Sequence, residues 1–213
     1  MADIQQNKIR FFLIIGLGNI GKRHLESLVN VKNSFIYLKD SNEKNLNKIL
    51  IAYRKKKIKK ISNLNEIKTK IDLAIIATNS DQRPKALSQL IKYSKVKNII
   101  LEKIVFQKLE YFKKFLYISK KKKINIFVNY PRRFWKIFQK IKSEIKNNKS
   151  NFEITFKGNN WGLCCNSIHF IDLFFFLSFE KIVSMNYYNF LSKKIYNSKR
   201  KGFYELKGKL NYE

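Results

Sequence analysis

Glycines 16, 18 and 21, in the run Gly16-Leu17-Gly18-Asn19-Ile20-Gly21, have the spacing of a loop that cradles a diphosphate. Gly16 permits a tight turn, Gly18 lets the backbone approach an anion, and Gly21 lets a following helix pack closely on a preceding strand. The helix opened by Asn19 and Ile20 would then aim its unpaired amides and positive dipole end at the phosphates. Asp40 stands nineteen residues beyond Gly21, where a carboxylate accepts from both hydroxyls of an adenosine ribose and repels a 2′-phosphate. This chemistry favours NAD. Lys39 and Ser41 flank Asp40 and would instead greet a 2′-phosphate, so NADP stays open as the alternative.

Other reactive residue types lie late in the chain. His169 sits in the apolar run Ser167 to Leu177, where a histidine is either a hydrogen-bonded core residue or an acid–base partner. Asn166 can orient a hydroxyl, and Asp172 can fix an imidazole tautomer; either can equally cap or stabilise a helix. Arg132 and Arg133 suit a phosphate or a carboxylate, or are ordinary residues at a helix start. Cys164 and Cys165 are adjacent and no Cys-x-x-Cys or His cluster occurs, so the sequence offers no metal site and no disulfide framework, and a reducing, cytoplasmic setting is expected.

These residues need elements to hold them. Arg10 to Ile15 is a continuous apolar run, as in a parallel strand covered on both faces, and Gly16 ends it. Asn19 to Val29 has helical spacing, and Ser34 to Leu38 returns to strand character before Asp40. The alternation continues through a helix at Asn45 to Lys56, strands at Ile58 to Ile61 and Ile71 to Ala77, and a helix at Ser80 to Tyr93 with Pro84 in its first turn. A strand at Lys97 to Leu101, a helix at Leu109 to Ser119 and a strand at Ile124 to Val128 complete six strands. The pattern predicts an α/β fold opening with a Rossmann doubly wound parallel sheet over residues 1–129. After Asn129 the pattern changes: Tyr130-Pro131 breaks it, a helix spans about Arg133 to Lys146, strands fall at Phe152 to Phe156, Ile182 to Tyr188 and Phe203 to Leu210, and an apolar helix spans Ser167 to Leu177. Residues 130–213 therefore form a second, α+β domain.

The formal charge of +30 invites a nucleic-acid reading. Yet 38 of the 45 basic residues are Lys, and the same chain is rich in Asn, Ile, Phe and Tyr, all encoded by AT-rich codons. Lys is spread in runs such as Lys55 to Lys57 and Lys120 to Lys123, which read as solvated faces and helix ends rather than an Arg-forked phosphate surface. No specific nucleic-acid partner is expected. The apolar stretch Phe170 to Phe179 is too short to span a membrane and contains Asp172.

With these residues in view, the chain resembles the glucose–fructose oxidoreductase and inositol dehydrogenase (Gfo/Idh/MocA) family over nearly its whole length. Gly16 to His24, GLGNIGKRH, is similar to the family's opening loop with its trailing His. Ile75 to Ser80, IIATNS, is similar to the loop beside the nicotinamide ribose, which implies cofactor contacts for Ala77, Thr78 and Asn79. Leu101-Glu102-Lys103-Ile104 resembles the Glu-Lys-Pro motif; the resemblance places Glu102 at the cofactor and gives Lys103 the catalytic handling of the substrate hydroxyl proton, with Ile104 in place of the proline. Ile168 to Asp172 is similar to the substrate-side helix and implies a catalytic role for His169 and substrate contacts for Asn166 and Asp172. Asn129 to Phe134 resembles the crossover into the second domain, which implies that Asn129 and Arg133 lie near cofactor or substrate, with a substrate contact for Arg133. Cys165 stands where many members carry an acid. The family's second domain is an open, mostly antiparallel sheet that continues through more strands, so a partial domain from a truncated or split reading frame is expected, with association of copies through that sheet. The resemblance implies an NAD(P)-dependent oxidoreductase acting on a sugar or nucleotide sugar, of use in polysaccharide biosynthesis; a catalytically impaired cofactor-binding protein of the same fold is the alternative.

Overall fold

The computed structural model describes residues 8–148, 153–158, 162–179, 191–198 and 202–209. The chain divides into two compact units, Met1–Asn129 and Tyr130–Glu213.

In the first unit, strands β1 (Arg10–Ile15), β2 (Ser34–Lys39), β3 (Ile58–Lys60), β4 (Ile71–Ile76), β5 (Val96–Leu101) and β6 (Asn125–Val128) form one sheet in the order β3-β2-β1-β4-β5-β6. Every pairing is parallel; Ile14, for example, stands beside Leu38 on β2 and Ile75 on β4. The strands alternate with helices α1 (Asn19–Leu28), α2 (Glu43–Ala52), α3 (Arg83–Tyr93) and α4 (Leu109–Lys122). The strands lack polar alternation because both faces are covered. Phe12 and Ile14 of β1 join Leu25 and Leu28 of α1 and Leu46 and Ile49 of α2 in one cluster, while Leu13 and Ile15 join Leu87, Leu90 and Ile91 of α3 and Phe115 of α4 in the other. Each fully buried side chain of this kind contributes about 1.5–3 kcal/mol. A doubly wound sheet follows, and its strand order reverses between β1 and β4, the place where such folds open a crevice at the carboxyl ends of their strands.

Local signals set the ends. Pro84 lies in the first turn of α3. The Asn42 side chain accepts from the Asn45 amide at the start of α2. Lys120, Lys121 and Lys122 fill the last turn of α4 and complement its dipole, with Lys123 left-handed at its end.

In the second unit a 3-10 turn at Pro131–Phe134 precedes α5 (Lys136–Asn148) and the apolar helix α6 (Leu163–Ser178), which packs on α5 and on β8. Strands β7 (Leu191–Asn197) and β8 (Tyr204–Lys209) pair antiparallel. The expectation of a strand at Phe152 to Phe156 is corrected: residues 153–158 join no ladder, and Phe156 is held by its ring, 4.0 Å from that of Phe170. Phe152 and the expected strand at Ile182 to Tyr188 lie outside the described residues. Strand β7 was not anticipated, because Ser192-Lys193-Lys194 interrupts the apolar alternation that marks a strand.

Candidate functional site

Strand β1 ends at Ile15, and the chain turns through Gly16 at φ +91°, a conformation that L side chains avoid. A Cβ there would lie 2.8 Å from the Thr78 nitrogen, so the glycine loop presses on the loop after β4. A Cβ on Gly21 would lie 1.9 Å from the Gly16 carbonyl oxygen, whereas one on Gly18 would meet nothing within 4 Å. Two glycines thus serve packing and the third faces open space. Gly18 precedes α1 without capping it by a side chain, and no acidic residue occupies the first turn of α1, so the amides of Asn19, Ile20 and Gly21 stay available to an anion. Gly18, Asn19 and Ile20 are exposed. These features fit a bound diphosphate: a bare helix start, a glycine whose missing side chain leaves room, and no competing negative charge.

The loop is braced from β2 and α2. The Leu17 amide donates to Asp40 Oδ2, the Asn42 amide donates to Asp40 Oδ1 at 2.7 Å, and Asn45 Nδ2 donates to the Leu17 carbonyl at 2.9 Å. Asp40, at the end of β2, is half-buried with its carboxylate fixed by two backbone amides. Lys39 donates its ammonium to the Ser62 carbonyl, so its charge is directed at that carbonyl.

Ala77, Thr78 and Asn79 follow β4, and Glu102 and Lys103 follow β5, so the structure gathers the sequence-predicted residues of the first unit at the carboxyl ends of adjacent strands. Thr78 Oγ1 is buried and has no hydrogen-bond partner among the described residues. Glu102 is 7% exposed; its Oε1 accepts from His24 Nε2 and from Asn129 Nδ2, both at 2.7 Å. Burial alone would raise this carboxyl, but the bonds from His24 and Asn129, with the nearby charges of His24 and Arg83, hold it below the ordinary glutamate value. The Lys103–Ile104 peptide bond is cis although isoleucine stands in the place of the motif's proline.

The second unit holds the remaining candidates. Arg133 donates through Nε to Asp172 Oδ2 at 2.7 Å and through Nη2 to Asp172 Oδ1. The pair engages both residues with each other, and the Asp172 bond raises the Arg133 guanidinium above its ordinary value. Asp172 therefore braces the 3-10 turn against α6 through Arg133. His169 meets the Tyr130 ring edge-on, with centroids 6.1 Å apart. Asn166 Nδ2 lies 3.4 Å from the Gly162 carbonyl at the start of its own helix. Arg132 stacks over Phe170, 4.2 Å from the ring centre. Lys103 lies in the first unit and His169 in the second.

Sequence reasoning missed two residues of this arrangement, while His24 and Asn129 came into view only through motifs of the family resemblance. Asn45 carries a signal too common to single out. Arg83 is the second: it is 2% exposed and bonds the Thr78, Ile104 and Val105 carbonyls. The signal that could have marked it is an arginine beside Pro84 in a helix's first turn, in a chain that otherwise prefers lysine. Among the described residues no group of three His, Cys, Asp or Glu gathers to hold a metal, and no helix is long and apolar enough to cross a membrane.

Solved structures with this fold include a putative myo-inositol dehydrogenase from Sinorhizobium meliloti 1021, at TM-score 0.66 and 20% identity over 83% of this chain and 57% of that one. The scyllo-inositol dehydrogenase of Lactobacillus casei with bound NAD(H) and scyllo-inositol matches at TM-score 0.64 and 17% identity, over 80% of this chain and 56% of that one. GenD2 from gentamicin A biosynthesis, in complex with NAD, matches at TM-score 0.68 and 12% identity, over 81% and 54%. The chain thus spans little more than half the length of these structures. Curated proteins give no sequence match. Residues 10–130 match the model of the Gfo/Idh/MocA oxidoreductase family with NAD-binding Rossmann fold, which covers more than half of the chain, so this protein belongs to that family and its first unit is an NAD-binding Rossmann fold.

Proposed function

We propose that the chain is an NAD(P)-dependent oxidoreductase that transfers a hydride between nicotinamide and an alcohol or ketone carbon of a sugar-like substrate. The observation that carries this reading is the open space before Gly18 at a bare helix start, with Asp40 on one side and the Glu102–Lys103 segment on the other. The amides of Asn19, Ile20 and Gly21 would bind the pyrophosphate, and the two pinned oxygens of Asp40, each with a lone pair to spare, would accept from the adenosine ribose. Ala77, Thr78 and Asn79 would line the nicotinamide side, where the buried Thr78 hydroxyl offers a polar group for the cofactor to satisfy. Bound nicotinamide supplies the hydride chemistry. Lys103 would hold and move the substrate hydroxyl proton, and the family resemblance assigns His169 a catalytic role and Arg133, Asn166 and Asp172 substrate contacts.

Asp40 and the engagement of Lys39 with Ser62 favour NAD, with NADP the weaker ligand. A polyol or sugar is supported by the scyllo-inositol in one structural relative; a nucleotide sugar and a place in polysaccharide biosynthesis are the narrower form of the reading. Copies would associate through the β7–β8 face that exposes Ile195 and Tyr204, and Cys164 and Cys165, which are in no disulfide among the described residues, suit a cytoplasmic setting. The second reading, a catalytically impaired cofactor-binding protein, is favoured by Cys165 in the place of an acid and by the mutual engagement of Arg133 and Asp172.

Titration of NADH and NADPH by fluorescence, with turnover measured on inositols and a panel of nucleotide sugars, tests both. The expected result is saturable NADH binding, at least about tenfold tighter than NADPH and reversed in preference by Asp40→Ser, a difference of about 1.4 kcal/mol. Lys103→Met is expected to abolish turnover and leave NADH affinity in place. Absence of saturable NADH binding refutes the first reading; tight binding without turnover on any substrate establishes the second.

A further inference from the structure

We propose that Arg83 is a positioning residue for Lys103: its buried guanidinium fastens the loop after β4 and the segment after β5 into one rigid wall of the cofactor crevice. The inference rests on the assignment of Lys103 to proton handling and adds a residue to that site.

Arg83 opens α3, yet its side chain turns inward and is 2% exposed, the one buried basic side chain among the described residues. Nη2 donates to the Thr78 carbonyl, and Nη1 donates to the carbonyls of Ile104 and, at 3.0 Å, Val105. One planar group thus bonds the backbone on both sides of the crevice wall. Thr78 belongs to the loop against which Gly16 presses, so the brace extends to the diphosphate loop itself. On the other side it grips the two residues that follow Lys103.

The sequence explains why such a grip is needed. Proline at position 104 would restrict the backbone through its ring, and Ile104 supplies no such restriction, so the path of the chain must be held by contacts. Lysine is the chain's prevailing cation, at 38 of 45 basic positions, but an ammonium at the end of four methylenes cannot reproduce a planar fork that reaches three carbonyls on two loops. Position 83 is arginine. Its charge also acts on Glu102, the residue before Lys103. Losing the fork would strand three carbonyls and free the Lys103 backbone, and a misplacement of about 1 Å at a reacting group costs about a hundredfold in rate.

The test uses the full chain with Arg83→Lys and Arg83→Met. Amide hydrogen exchange is followed by mass spectrometry, and competitive trace acetylation compares Lys103 with every other lysine in the same sample. The expected result is exchange about tenfold faster over residues 102–106 in both variants, with β1 and β4 unchanged, and acetylation altered at Lys103 alone. With an active substrate in hand, kcat falls about thirtyfold or more while the KM for NAD stays within about twofold. Exchange and Lys103 labelling unchanged in Arg83→Lys overturn the proposal, as does faster exchange spread evenly over the sheet. If Arg83→Met fails to fold, Arg83→Lys decides on the same readouts. Neither backbone exchange nor acetylation requires turnover, so absent activity would defeat the functional reading and leave the brace separately measurable.

Discussion

Substituting alanine at Gly18 and at Gly21 should give opposite phenotypes, although the two glycines belong to one motif. At Gly18 the backbone is extended, φ −65° and ψ −169°, which any residue adopts, and an added Cβ meets no heavy atom within 4 Å. The fold should tolerate Gly18→Ala or gain about 0.4–1 kcal/mol from the smaller entropy of the unfolded chain. The methyl would instead fill the space through which a diphosphate reaches the amides of α1, and NADH affinity should fall at least about tenfold, or about 1.4 kcal/mol. At Gly21 the added Cβ would lie 1.9 Å from the Gly16 carbonyl oxygen and 2.9 Å from its carbonyl carbon, backbone atoms that cannot rotate away. Overpacking of this kind costs about 3 kcal/mol, of which the better helix propensity of alanine returns about 1. The net loss of about 2 kcal/mol should lower the melting midpoint by roughly 6–10 °C in a unit of this size. Calorimetric melting without ligand, paired with NADH titration, separates the two effects. If Gly18→Ala binds NADH as tightly as the parent chain, or Gly21→Ala melts with it, the division of labour within the loop is wrong.

Two further outcomes follow from the buried acids. Because Glu102 titrates below its ordinary value when folded, its contribution is present above the unfolded-state value of about 4.3 and is lost as pH falls through the lower folded value. Glu102→Gln should therefore cost about 1.5–3 kcal/mol at pH 7, where the charged hydrogen bonds are lost, and flatten the acid limb of stability followed by urea midpoints; an unchanged acid limb would discount the His24–Glu102–Asn129 cluster. In the Arg133–Asp172 pair the aspartate side chain is 6% exposed and the arginine 41%. Arg133→Met strands a buried carboxylate and should cost about 2–3 kcal/mol, whereas Asp172→Asn leaves a cation that can turn to solvent and should cost about 1; urea unfolding that ranks them the other way would refute the assignment of the pair as a brace.

The first unit was legible because its signals were redundant. Arg10 to Ile15 reads as a doubly covered strand, the glycines read as a turn, and Asp40 arrives at the expected distance; each observation alone is weak, but they agree on one βαβ unit. The second unit offered no such agreement. Phe152 to Phe156 has strand composition, yet Phe156 stacks on Phe170 and its neighbours pair with no strand, since composition reports burial and not the presence of a ladder partner. The site residues divide in the same way. Backbone-directed roles, such as those of Gly16 and Gly21, are written in the sequence because only one residue type allows them. The pairing of Arg133 with Asp172 joins residues 39 positions apart, the grip of Arg83 reaches carbonyls 5, 21 and 22 positions away, and both depend on where the fold brings them.

The charge of the chain bears on the same distinction. A net charge of +30 draws any anion toward the surface, and at physiological salt this attraction fades over a Debye length of about 8 Å. Such a field would favour the more highly charged NADP, so it cannot be what selects NAD. Discrimination has to come from contact, where solvent ions have no room. Asp40 is suited to it because its two oxygens are pinned by the Leu17 and Asn42 amides, so the carboxylate cannot swing aside for a 2′-phosphate without abandoning two bonds, one of which also holds the glycine loop. On the proposed reading, choice of cofactor and shape of the loop would thereby be tied to a single carboxylate, and the lysine beside it, directed at the Ser62 carbonyl, would leave that choice to Asp40.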